Sequence, residues 1–204
     1  MIPYRTVEER ARAAERLARH LSEGGLIAYP TETVYGLGCA LESAALERLA
    51  AFKGDRPFLL LVREPEDAAD LAWTPAARRL AARFWPGPLT LALLDPHHRF
   101  PDRVRGAGGT VAIRVSPHPA AAALLDAAGG PLTSTSANAP GNVPAREALD
   151  AARAVEPIRD IVVLDGGRLP PGPSSTIVRC TAGVTVLRAG AVPVREIEAV
   201  VKLE

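Results

Sequence analysis

The chain has 204 residues, 48% of them hydrophobic and 23% charged, with 24 basic side chains against 23 acidic ones for a net charge of +1. That length suits one domain with a sizeable core and is short for two catalytic ones, so a single domain over 1–204 is expected. The balanced charge supplies no overall pull towards nucleic acid or membrane, and the near absence of cysteine (Cys39 and Cys180 only) excludes a disulfide scaffold or a zinc site.

Residues 1–20 carry Arg and Glu without the apolar stretch of a signal peptide, and no apolar run nears the ~20 residues of a membrane span, so a soluble, cytoplasmic protein is expected. Thr6 with Glu9 forms a capping box, and Val7, Ala11, Ala14, Leu17, Ala18 and Leu21 follow at helical spacing until Gly24 and Gly25. A buried strand is predicted over 26–29, ended by Pro30, then a helix over 43–52 and a strand over 58–62. Helices over 65–72 and 75–84 each have proline in the first turn. After Trp85-Pro86-Gly87-Pro88 come strands over 89–94 and 110–115, a helix over 119–128, and a strand from Pro131 into Ser134-Thr135-Ser136-Ala137-Asn138. A helix over 145–155, strands over 161–164, 175–178 and 184–187, and a helix over 194–201 complete the chain. Interleaved helices and strands predict an α/β sheet with helices packed on it.

Candidate chemistry gathers at strand ends. Four of only seven serines fall in two clusters, Ser134 with Ser136 and Ser174 with Ser175, and Thr31 with Thr33 makes a third hydroxyl group. Hydroxyls both donate and accept, and together with the rare Asn138 they suit a small polar ligand bearing phosphate, carboxylate or hydroxyl. Of the basic residues 22 are Arg, and the only lysines are Lys53 and Lys202, so a lysine marks a specific need; Lys53, ahead of Gly54-Asp55-Arg56-Pro57, is the one worth pursuing. Arg114 lies in a strand pattern, where a guanidinium either faces solvent or meets an anion. Arg188 ends a strand before Ala189-Gly190. The four histidines read as solvated surface, and Glu64 with Glu66 as helix-start residues. There is no phosphate loop of the G-x-x-x-x-G-K-[ST] type, Gly36-Leu37-Gly38 does not complete G-x-G-x-x-G, and no G-x-S-x-G elbow exists. An enzyme built from these parts works by positioning and charge stabilisation.

Tyr29-Pro30-Thr31-Glu32-Thr33-Val34-Tyr35-Gly36-Leu37-Gly38, Trp85-Pro86-Gly87-Pro88-Leu89-Thr90, Thr110-Val111-Ala112-Ile113-Arg114 and Ser134-Thr135-Ser136-Ala137-Asn138 occur in order, followed by Ser174-Ser175-Thr176 and Leu187-Arg188-Ala189-Gly190. In this combination the chain resembles the YrdC-like family, the L-threonylcarbamoyladenylate synthases, from about residue 10 to 200, in its short single-domain form. The resemblance implies a twisted, largely open α/β sheet with flanking helices and a concave, positively lined cavity. It implies a nucleotidyltransferase that makes threonylcarbamoyl-AMP and pyrophosphate from L-threonine, bicarbonate and ATP, with Mg²⁺ accompanying ATP, for the threonylcarbamoyladenosine modification of tRNA by a downstream transferase machinery. Residue by residue, it assigns Thr33, Arg114, Ser134 and Ser175 to threonine. Lys53, Arg56, Thr110, Ser136, Asn138 and Arg188 fall to ATP, with Lys53 and Arg114 as catalytic groups and no protein metal ligands.

The sequence departs from the family pattern after Lys53, where about three residues are missing before Phe58. Either Arg56 is the motif arginine on a shortened loop, which is the preferred reading, or Arg56-Pro57 is a later element and that arginine is absent. Arg63 stands where some members place a histidine, and Pro144 or Ala145 where a serine helps hold ATP. Two other functions compete: an RNA-binding or ribosome-associated module using the same basic cavity, which four Phe and a net charge of +1 disfavour, and a carbamoyl transferase, which would need additional domains.

Overall fold

The computed structural model describes all residues, 1–204. In chain order the elements are β1 (Ile2–Pro3), α1 (Val7–Ser22), β2 (Leu26–Tyr29), β3 (Gly36–Gly38), α2 (Ser43–Lys53), β4 (Leu59–Leu61), α3 (Pro75–Phe84), β5 (Leu89–Leu94), β6 (Arg105–Gly106), β7 (Thr110–Arg114), α4 (Pro119–Ala128), β8 (Leu132–Ser136), α5 (Ala148–Val155), β9 (Ile161–Asp165), β10 (Thr176–Cys180), β11 (Val184–Arg188) and α6 (Val194–Glu198). They build one mixed sheet of order β1-β9-β2-β3-β8-β4-β7-β5-β10-β11, with β6 added beside β7. Its ends do not meet, so the sheet is open, as the resemblance implied.

The period-2 alternation of the strands sorts side chains onto two faces. Leu89, Leu91 and Leu93 of β5, Val111 and Ile113 of β7, and Val178 and Cys180 of β10 join a core of 37 buried residues that α2, α3, α5 and α6 cover. On the other face α1 and α4 pack on each other over Ile27, Tyr29, Leu61 and Leu132, a second cluster of 13. These two helices cover only one half of their face. Over the β7-β5-β10-β11 half, that face carries Thr110, Ala112 and Arg114, Ala92, Ile177 and Arg179, all bordering one cavity. The open half of the sheet is therefore written into the strands as small and polar residues where the covered half has leucine.

Helix α1 begins as expected: Thr6 Oγ1 accepts from the Glu9 N–H at 3.2 Å and Glu9 reaches back to the Thr6 N–H at 3.1 Å. The predicted helix over 65–72 is a correction. Only a 3₁₀ turn forms at Pro65–Ala68, because Asp67 takes the Arg63 and Glu64 N–H groups and Ala72 donates to Leu94 O at 2.9 Å, turning the chain into the sheet. The helix predicted from 145 starts at Ala148, since Tyr35 N–H donates to Ala145 O and Ala145 N–H to Ala137 O. The last helix stops at Glu198, not 201.

Strand β3 was not predicted. Gly36 and Gly38 carry no strand propensity, yet the close approach of β8 requires glycine at Gly38, where a Cβ would lie 1.8 Å from Thr133 O. Two of the four histidines also depart from the solvated reading. His20 Nε2 lies 3.0 Å from Leu26 O, and His118 caps α4 by accepting the Ala120 N–H at Nδ1, with burial lowering its pKa. Cys39 and Cys180 are buried free thiols, each pushed up to about 11 by burial.

Candidate active site

The uncovered half of the sheet forms a cavity of about 670 Å³. Five cations line it, Lys53, Arg56, Arg114, Arg179 and Arg188, and no Asp or Glu does. All ten residues singled out in the sequence border this one space, although they come from six separate stretches of chain.

One end is built around Arg114. The alternation of β7 turns its side chain to the cavity face and leaves it 4% exposed, so it does not face solvent. Its Nη1 is 3.4 Å from Glu32 Oε1 and donates to Thr33 Oγ1 at 3.4 Å, while Nε is buried without a partner. A buried guanidinium met by one long ion pair retains donors for another anion. The turn after β2 sets these partners. Thr31 Oγ1 accepts the N–H groups of Thr33 and Val34 and donates to Val34 O, which fixes Thr33 and Glu32, and Ser116 Oγ donates to the other Glu32 oxygen. Ser134 on β8 and Ser175 before β10 close this end. Ser175 Oγ lies 2.9 Å from Thr90 Oγ1, and Arg188 donates to Ser175 O at 2.7 Å and Oγ at 3.3 Å. Arg188 reaches inward because β11 bulges: Ile177 pairs with Arg188 but Val178 with Val186, so Leu187 is the extra residue and both it and Arg188 border the cavity. Burial, and then the charge of Arg114, lower the pKa of Arg188.

The wall beside β8 is organised by Lys53 at the end of α2. Its ammonium donates to Ser136 O (2.9 Å), Asn138 O (2.9 Å) and Asn138 Oδ1 (3.0 Å), using all three N–H bonds to hold the Ser136–Asn138 segment. Ser136 Oγ donates to Asn138 Oδ1, and Asn138 Nδ2 donates to Asn142 O. Burial and the nearby Arg56 push the Lys53 pKa down to about 8. Arg56, on the shortened loop after Gly54 (φ +83°), is exposed and borders the cavity, the position required if it is the motif arginine. Arg103 braces this loop from outside, gripping Glu47 through two hydrogen bonds (2.8 and 2.7 Å) and reaching Asp55. At the far end Thr110 Oγ1 donates to Ala107 O.

Two residues here were given no role from the sequence: Glu32, which pairs with Arg114, and Arg179. The argument applied to Arg114, a guanidinium inside a strand pattern, would have singled out Arg179 as well. No group of three or more His, Cys, Asp or Glu side chains gathers in a metal-binding arrangement.

Comparison with known proteins agrees with this architecture. The family model Sua5_yciO_yrdC, described as telomere recombination, matches residues 19–190. A threonylcarbamoyl-AMP synthase of Thiobacillus denitrificans is 40% identical over 154 residues, 72% of this chain and 81% of that protein. One from Pyrococcus abyssi is 37% identical over 191 residues, 90% of this chain and 56% of the relative, which is thus the longer protein. The crystal structure of P. abyssi Sua5 complexed with L-threonine superposes with a TM-score of 0.89 at 33% identity, covering 100% of this chain and 62% of that one. The ordered motifs, the open sheet and these matches together place the chain in the Sua5/YciO/YrdC family.

Proposed function

We propose that this chain is an L-threonylcarbamoyladenylate synthase, with residues 1–204 forming one YrdC-like domain that carries the whole cavity. The observation that carries the reading is the meeting of ten dispersed residues in a single space with five cations and no lining carboxylate. Arg114, with Thr33, Ser134 and Ser175, holds L-threonine through its carboxylate and hydroxyl. A structural relative complexed with L-threonine supports a threonine site in this fold. Lys53, Arg56, Thr110, Ser136, Asn138 and Arg188 hold ATP beside it.

The threonine amine and bicarbonate form a carbamate with loss of water. A carbamate oxygen then bonds to the α-phosphorus as the bond to pyrophosphate breaks, giving threonylcarbamoyl-AMP. Both partners are anions, so the protein's part is to bring them together and to stabilise the charge that collects on the leaving pyrophosphate. Arg114 brings the threonine carbamate to the junction, and Lys53 supplies positive charge on its nucleotide side. Mg²⁺ would accompany ATP and offset part of the phosphate charge.

The product is a mixed anhydride and passes to a transferase that modifies adenosine in tRNA, in the cytoplasm. No helix is long and apolar enough to cross a membrane. Phe58 is the only aromatic residue at the cavity, so a nucleotide is favoured over a stacked RNA strand. Labelled bicarbonate tests the reading: it should enter a nucleotide product only when L-threonine and ATP are both present. Incorporation without threonine would exclude it.

A further inference from the structure

Arg179 is the cavity cation that neither the family motifs nor the reaction scheme above uses. It lies on β10, where alternation puts it on the same face as Ile177, and it pairs with Ala92 of β5, which in turn pairs with Ala112 of β7. Arg179 therefore sits level with Ala112, two residues along from Arg114 towards Thr110, and two strands across, about 10 Å at the usual strand spacing. Between them the sheet presents only the methyl groups of Ala92 and Ala112, so the guanidinium looks over an open floor.

Its charge is unmet. Arg179 forms no ion pair, its one side-chain hydrogen bond goes to the neutral Thr185 hydroxyl at 3.2 Å, and its Nε is buried without any partner. Of the five lining cations only Arg114 has a carboxylate, Glu32, which leaves four unpaired. A cation kept half-buried with unused donors needs an anion with several acceptor oxygens. Among the substrates only the triphosphate has the charge and length to reach from the junction near Arg114 to this position.

We propose that Arg179 forms an anion subsite at the end of the cavity away from Arg114, towards Thr110, that holds the terminal phosphates of ATP and then the released pyrophosphate. The inference rests on the synthase reading and adds a residue that sets nucleotide affinity and product release. Threonine should not feel it, because its carboxylate lies at the other end.

The test is titration of inorganic pyrophosphate into wild type, Arg179→Met and Arg179→Lys by calorimetry at fixed ionic strength, with threonine affinity and Tm measured on each. Met keeps the apolar stem and removes the charge. We expect Arg179→Met to weaken pyrophosphate binding about tenfold or more, the loss of one charge-assisted contact. Arg179→Lys should recover part of it, with threonine affinity and Tm unchanged. Pyrophosphate bound equally by Arg179→Met and wild type would overturn the subsite. So would a parallel loss of pyrophosphate, threonine and Tm, which would make Arg179 a sheet-bracing residue, or no binding by wild type. Failure of the synthase reading itself shows elsewhere, in wild-type protein that binds pyrophosphate but forms no threonylcarbamoyl-AMP.

Discussion

Lys53 combines two tasks that pull against each other. It holds the Ser136–Asn138 segment with all three ammonium protons, yet burial and Arg56 bring its pKa down to about 8. In the unliganded protein its charge is complete below pH 8 and lost as the pH rises through that value, so kcat/KM for ATP should fall above about pH 8. Bound phosphates favour the protonated form, and kcat should fall later. Lys53→Arg should flatten the alkaline limb of kcat/KM, whereas Lys53→Ala should weaken ATP use across the range. The same shift has a stability consequence. The unfolded chain keeps this proton up to its ordinary 10.5 and the folded one sheds it near 8, so the cost of burying the charge is relieved, and stability gains, between those values.

Arg114→Ala removes the buried cation beside Thr33 and leaves Glu32 without its ion pair. Threonine-dependent activity should drop by about 100-fold or more, with the nucleotide still bound. Most of the cavity lining was legible because each residue type was informative where it stood: one of only two lysines in an arginine-rich chain, a rare asparagine, serines in pairs. Glu32 was not, since a carboxylate behind an arginine is placed only by a pairing that sequence spacing does not contain, whereas Arg179 was open to the same strand-pattern argument that singled out Arg114.

Elements with a local cause were readable. The capping box of α1, the prolines that open α3 and α4 and the alternation of β7 fix their conformations within a few residues. Elements with a non-local cause were not. Strand β3 exists because β2 and β8 flank it, and glycine is required at Gly38 by Thr133 across the gap. Gly38→Ala should accordingly force the two strands apart and destabilise the fold by about 1–3 kcal/mol, a Tm drop of several degrees by thermal melting. The loop from Gly54 to Pro57 makes a contrasting case. Its brace is a solvent-screened ion-pair group, so Arg103→Ala should leave stability nearly unchanged. It should nevertheless raise KM for ATP several-fold by freeing Arg56, a split that steady-state kinetics beside a denaturant titration would resolve.

At the scale of the molecule, two helices cover half of one sheet face and the other half stays open, and that division makes the cavity. The strand order that brings β7, β8 and β10 around it depends on pairings between residues far apart in the chain, such as Leu59 with Ser134 and Thr90 with Ile177. No local pattern encodes these. A net charge of +1 hides the concentration of five cations in this space. Binding of nucleotide in the cavity should therefore respond to salt far less steeply than tRNA bound along a surface would, because fewer phosphates are engaged and the pairs are less screened.

Pyrophosphate release from ATP by the purified protein tests the central claim most directly, measured with and without L-threonine and bicarbonate. Release that requires both substrates, and that disappears in Arg114→Ala, is the predicted result. Release independent of threonine, or none from a protein that binds ATP and threonine together, would contradict the assignment of this cavity to threonylcarbamoyl-AMP synthesis.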